Sequence, residues 1–257
     1  MSREDPSASV QAILLDIEGT TTPIAFVVET LFPYARHHLR EYLDHHASSA
    51  NDDVLFERFR AEWELDRDQG APAWVDAPPA ARLKSVAAYS DWLMDRDRKS
   101  TALKTLQGRI WEQGFARGEL VGEVFADVPA ALERWRARGL QIGIFSSGSV
   151  LAQKLLFRHS SAGDLSRYLD WYFDTTTGAK GDPESYRRIA AAMAIAPEAI
   201  LFVSDSVAEL DAARSAGMRT LLSVRPGNPP PLADRGHQAV RSFHDVFESL
   251  RGSSAAP

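Results

Sequence analysis

The chain stops several of its apolar runs on groups able to do chemistry. In LLDIEGTTTP, residues 14–23, Asp16 and Glu18 close an apolar run and Gly19 comes at once after them. Residues two apart on an extended strand point the same way, so both carboxylates are expected on one side if the strand geometry lasts as far as Glu18. Gly19 frees the backbone to turn, and the hydroxyl of Thr20 is placed to hold the loop or cap the next element. A second run ends in FSSGS, residues 145–149, where Ser146 and Ser147 meet a glycine ahead of the helical stretch VLAQKLLF. Hydroxyls and backbone N–H groups gathered at a helix N-terminus make a cradle for an oxyanion. Lys180, in TTGAK, sits on a loop between a short YFDT strand and the helical stretch opened by Pro183, within reach of the same rim. The last run, ILFVSDSVAEL, sets Asp205 at a strand terminus and Glu209 one helical turn later.

Each signal taken alone also fits a plain structural role: a turn, a serine cap, a solvated lysine, an aspartate cap. Their coincidence at one sheet rim suggests more, because ligands of open α/β sheets bind beyond the carboxyl ends of the strands. That rim carries Asp16, Glu18, Asp205 and Glu209 against one lysine. Clustered carboxylates repel unless a cation neutralises them, and an all-oxygen donor set without His or Cys suits Mg²⁺ together with a substrate phosphate. Metal-dependent phosphoryl transfer is the chemistry this pattern predicts.

The elements that must position these residues are legible as periodicities. Short apolar runs at 12–17, 140–145, 200–203 and 219–224 read as strands buried on both faces of a parallel sheet. Helical patterns adjoin them, DVPAALERWRARG closing on Gly139 and SVAELDAARSAG on Gly217. Strands alternating with helices predict an α/β fold with a doubly wound parallel sheet. Residues 26–125 break the rhythm with four long helical patterns and read as an inserted helical cap subdomain, its segment 70–79 a loop. The expected organisation is an α/β core over 10–25 and 126–250, the insertion over 26–125, and a disordered tail over 251–257. Phe26, Trp92 and Trp111 are expected in the core of their elements rather than on a ligand. His38 and His45 lie two helical turns apart, ~10 Å of rise, too far to share an ion, and read with their neighbours as a solvated face.

Composition narrows the function classes. A formal charge of -6 with interspersed signs offers no basic field, which sets nucleic acid aside. The absence of cysteine excludes disulfides, thiolate metal sites and thiol nucleophiles. No apolar stretch approaches ~18 residues, and the first ten residues lack the pattern of a signal peptide, so no membrane association is expected and a cytoplasmic location is.

The order of these motifs, D-x-E-G-T, a strand ending in serine, a lysine, then S-D with an acid four on, resembles the haloacid dehalogenase-like phosphohydrolases. The second acid of the first motif is commonly aspartate there and is Glu18 here. With that glutamate, LLDIEGTTTPIAFVVETLFPYAR, IFSSGSVLAQKLLFRHS, YFDTTTGAKGDPESY and VSDSVAELDAARSAGM resemble the enolase-phosphatase (acireductone synthase) family of methionine salvage, over about Ile13 to Arg225. The resemblance implies one Mg²⁺ per subunit held by Asp16, Glu18 and Asp205, with Ser146, Ser147 and Lys180 on the substrate phosphate. It implies Asp16 as nucleophile, Glu18 as acid–base group, a small-molecule diketone phosphate as substrate, and a monomer. Two other enzyme or switch readings share the motifs: a generalist phosphatase of small phosphate esters and a receiver-type phosphate switch. A scaffold retaining the fold is a third.

Overall fold

The computed structural model describes residues 10–46, 50–228 and 235–247. The tail expected at 251–257 lies outside the described residues. The chain separates into two compact units, Met1–Val27 with Val121–Pro257, and Val28–Leu120.

The first unit is built on a six-stranded, all-parallel sheet. Its strands are β1 (Ala12–Leu15), β2 (Gln141–Phe145), β3 (Trp171–Phe173), β4 (Ile200–Ser204), β5 (Arg219–Ser223) and β6 (Gln238–Val240), in the order β3-β2-β1-β4-β5-β6. β1 is central and buried along its whole length. Its two faces serve two layers: Ala12 and Leu14 pack in one core cluster with Tyr186, Ile189, Leu210 and Ala213, and Ile13 and Leu15 point to the other side. Burying a side chain such as Leu14 stabilises by ~1.5–3 kcal/mol, which is why a run without a polar face holds the centre. After β2 and β3 the chain crosses to the far side of β1 to form β4, so the order reverses at β1, the place where such sheets open a crevice.

Four helices flank this sheet: α5 (Val128–Ala137), α6 (Val150–Arg158), α7 (Pro183–Met193) and α8 (Val207–Ser215). α5 packs on β2, α6 on β3, and α8 on β4 and β5. β6 is absent from the sequence expectation, since QAV is three residues long and offers no apolar run. β3 is also shifted: the YFDT pattern ends at Phe173 because Asp174 turns its carboxylate to Thr176, accepting from its N–H at 2.9 Å and its hydroxyl at 2.6 Å.

The second unit is helical: α1 (Phe32–His45), α2 (Ala50–Asp66), α3 (Pro79–Asp95) and α4 (Thr101–Ala116). Its core gathers Leu39, Phe59, Tyr89, Leu106 and Ile110. Trp92 and Trp111 are buried too, the indole N–H of Trp111 donating to Leu31 O at 2.8 Å. The segment Phe26–Leu31, expected as regular α-helix, is a π-helix. Pro33 has no N–H to donate one turn back, and the residues ahead of it take the wider spacing. Among the histidines, His38 meets Glu41 Oε2 at 3.0 Å and His45 bonds the Glu41 carbonyl one turn earlier, while His46 bonds the Tyr42 carbonyl and also meets Gln113 of α4 at 3.3 Å. Among the described residues no helix is long and apolar enough to cross a membrane.

Candidate active site

β1 stops at Leu15, one residue before the acids. Asp16 still donates its N–H to Val203 O at 3.0 Å, and then Ile17 O collects the N–H groups of Thr20, Thr21 and Thr22. The chain reverses over Glu18 and Gly19, so strand geometry ends before Glu18 and the spacing rule of a strand does not extend to it. The carboxylates of Asp16 and Glu18 are held by different neighbours. Asp16 Oδ1 receives Lys180 Nζ at 2.5 Å and Asp16 Oδ2 receives the Ser204 hydroxyl at 3.1 Å, from β4. Glu18 is held by the Ser146 hydroxyl, 3.2 and 3.1 Å from its two oxygens, at the end of β2. The turn is secured by Thr21 rather than by Thr20. The Thr21 hydroxyl donates to Asp16 O and Ile17 O, whereas Thr20 Oγ1 is buried without a partner among the described residues.

The capping roles that compete with function at the other motifs fall to neighbouring residues. The N-cap of α6 is Ser149, which accepts from Ala152 N at 3.2 Å and accounts for ~1 kcal/mol of helix stability. Ser146 is thereby left to Glu18, and it also accepts the Gly148 N–H at 3.0 Å. Ser147 is exposed beside it, outside this hydrogen-bonded set. Ser206, not Asp205, occupies the cap position of α8. Lys180 is no idle surface lysine: its side chain is 8% exposed and its ammonium lies between Asp16 and Glu209, 2.7 Å from Glu209 Oε2. Side-chain hydrogen bonds thus form two neighbouring sets, Glu18 with Ser146, and Asp16 with Lys180, Ser204 and Glu209.

Asp205 approaches from β4 across Gly19. Gly19 holds φ at +70°, and a Cβ there would fall 2.6 Å from Asn228 Nδ2 and also strike the Asp205 carboxylate. Two participants have no counterpart in the sequence reading. Ser204 was visible only as the residue before Asp205 in VSDS, and Asn228 as the end of an RPGN turn after β5, a motif with no charge to mark it.

The electrostatics arise from four carboxylates crowded around one ammonium. Burial and the neighbouring Asp16 charge push Asp205 up to about 7. Burial and the same charge push Glu209 up to about 7 and raise Glu18 above its ordinary value. Burial disfavours the charge on Lys180, yet the Asp16 and Glu209 carboxylates overcome it and hold its pKa above the usual lysine range. The cluster has an excess of negative potential that a divalent cation would relieve. Among the described residues no group of three or more His, Cys, Asp or Glu is placed to hold a metal by itself. Mg²⁺ does not require one, since it is commonly bound by one or two carboxylates completed by waters and substrate phosphate. In the catalytic turn the carbonyls of Ile17, Gly19, Thr20, Thr21 and Thr22 all accept hydrogen bonds, and that of Glu18 has no partner among the described residues. Two carboxylates and a free carbonyl fit a hard cation.

Comparison with known proteins gives a consistent result. A family model described as haloacid dehalogenase-like hydrolase matches residues 10–217. Enolase-phosphatase E1 of Synechococcus elongatus is 50% identical over 220 residues, 86% of this chain and 91% of the relative. Enolase-phosphatase E1 of Drosophila yakuba is 47% identical, covering 94% of this chain and 93% of that one. Among solved structures, the UTR4 protein of Saccharomyces cerevisiae superposes with a TM-score of 0.74 at 32% identity, over 91% of this chain and 98% of that one.

Proposed function

The chain belongs to the haloacid dehalogenase-like hydrolases and, within them, to the enolase-phosphatase family, and on that footing we propose how its own residues carry out the reaction. It is a phosphatase of methionine salvage whose substrate is 2,3-diketo-5-methylthiopentyl 1-phosphate, enolised and then dephosphorylated to the acireductone. The observation that carries this reading is the fixing of Asp16: one carboxylate oxygen on Lys180 and the other on Ser204, at the end of the central strand.

Asp16 attacks phosphorus, forming an aspartyl phosphate as the ester oxygen leaves. Glu18 protonates that leaving oxygen and then takes the proton from the water that attacks the acyl phosphate, releasing phosphate and restoring Asp16. Burial and the Asp16 charge raise the pKa of Glu18, the direction that favours a carboxyl able to donate a proton. Lys180 offsets charge on the equatorial phosphoryl oxygens, with Ser146 and Ser147 as the hydroxyl and loop donors beside it. Asp16, Asp205 and the backbone carbonyl of Glu18 would hold one Mg²⁺, which supplies charge neutralisation at the phosphoryl group and acidifies the C–H beside a bound carbonyl. The Glu18 side chain, engaged with Ser146, is left free for proton transfer. The helical insertion is proposed as a cap subdomain of the enzyme.

The test is to measure phosphate release from the diketone phosphate beside a panel of sugar phosphates, with Mg²⁺ present. The proposal expects kcat/KM for the diketone phosphate to exceed the panel by about a hundredfold or more. Equal rates would show a generalist phosphatase instead.

A further inference from the structure

We propose that Asn228 is a positioning residue which ties the catalytic turn to the Asp205 carboxylate and thereby fixes the spacing of the cation site. The inference rests on the function proposed above. Asn228 Nδ2 donates to Gly19 O at 2.8 Å and lies 3.4 Å from Asp205 Oδ2. A side-chain amide carries two N–H bonds in a fixed fork, so one group can serve both acceptors at once. The first acceptor belongs to the turn that carries Asp16 and Glu18, and the second to the acid supplied by β4.

Their close approach is built in. Gly19 sits in the left-handed region at φ +70°, and the space a Cβ would need is already taken by Asn228 and Asp205. The adjoining residues brace the same turn from the same side. Arg225 Nε donates to Thr20 O at 3.0 Å, and the Phe125 N–H donates to Thr21 O at 2.9 Å. Arg225 is itself immobilised, 5% exposed, paired with Asp127 at 2.6 Å and packed against the rings of Phe125 and Phe243 at 4.8 and 4.2 Å. Three successive carbonyls, from Gly19 to Thr21, are thus held by groups outside the turn, and the Glu18 carbonyl is the one left available. Mg²⁺ demands near-ideal octahedral geometry, so slack between the turn and Asp205 would be felt as lost affinity.

Arg225 is the poorer probe of this brace, because removing it strands Asp127 as a part-buried unpaired charge and unsettles the fold. Asn228 is neutral and only partly buried, and its loss breaks no ion pair. The experiment titrates Mn²⁺ into chelator-treated protein and reads free Mn²⁺ by electron paramagnetic resonance, with no substrate present. Asn228→Ala and Asn228→Leu are compared with the parental chain, the leucine keeping the bulk and removing the amide. Both are expected to weaken Mn²⁺ binding by about 10–100-fold, the usual effect of removing a group that orients a metal ligand. Mn²⁺ affinity within twofold of the parental value in either folded variant overturns the inference and leaves Asn228 as a loop pin. Asp205→Asn separates the two claims: if the parental chain binds no Mn²⁺, or Asp205→Asn binds it equally well, the cation site itself is wrong.

Discussion

Glu18 and Glu209 are each held by a serine hydroxyl and each raised in pKa by burial and by Asp16, but only Glu209 also touches the Lys180 ammonium. That difference assigns their work. Glu209 lies on the Lys180 ammonium and favours its charge, which fits the proposal that Glu18 is the group that exchanges protons. Shortening Glu18 to aspartate withdraws the carboxylate from Ser146. Glu18→Asp is expected to slow both enolisation, followed by enol absorbance, and phosphate release by about tenfold or more, since acid–base groups contribute 10²–10⁴-fold. If both rates are unchanged, the extra methylene has no such role. The raised acids also make a stability prediction. Asp205 and Glu209 bind protons more tightly folded than unfolded, so metal-free protein is most favoured by them below about pH 4 and loses that contribution as pH rises to about 7. In thermal unfolding with chelator, Glu209→Gln should therefore show a shallower fall in Tm between pH 4.5 and pH 7 than the parental chain. An identical slope would mean that Glu209 is not raised.

At the scale of elements, the turn after β1 decides where Asp16 and Glu18 point, and Gly19 is its least replaceable position. Gly19→Ala would impose a left-handed backbone on a residue with a Cβ, costing ~1–2 kcal/mol, and would displace Asp205 and Asn228 as well. Phosphate release is expected to be nearly abolished while urea unfolding shows a loss of stability of at least that size. An active, equally stable variant would mean the turn is not held as described. This turn also marks the boundary of what sequence reasoning can reach. Four of the strands declare themselves because Ile13, Ile142, Leu201 and Leu221 lie in apolar runs without a polar face. The helices lie where the apolar spacing predicts them, apart from the π-helix at Phe26–Leu31. The end of β1 ahead of Glu18 is not legible in this way, because it depends on three threonine N–H groups converging on Ile17 O, and nothing in the period of a strand says where the ladder stops. Nor does local sequence reveal which of Ser146, Ser147 and Ser149 caps the helix. That is decided by where Glu18 arrives from a segment 128 residues earlier.

For the whole molecule, the central position of β1 places Asp16 between groups from β2 on one side and β4 on the other, so four distant segments meet at one rim. The strand-end acids, serine and lysine could be recognised one at a time in the sequence. Ser204 and Asn228 could not, since their importance lies in which carboxylate or carbonyl the sheet order brings to them. The side chains that hold Asp16 and Glu18 all come from the unit that carries the sheet, and a monomer is the expected state. Light scattering coupled to size exclusion should return a mass near 28.4 kDa, and twice that mass would refute the monomer.

The most direct test of the mechanism is chemical trapping of Asp16. Parental protein mixed with the diketone phosphate and Mg²⁺, quenched during turnover and reduced with borohydride, should yield homoserine at position 16 on peptide mass spectrometry, and none without substrate. Reduction at another carboxylate, or none at all while phosphate is being released, would contradict the account.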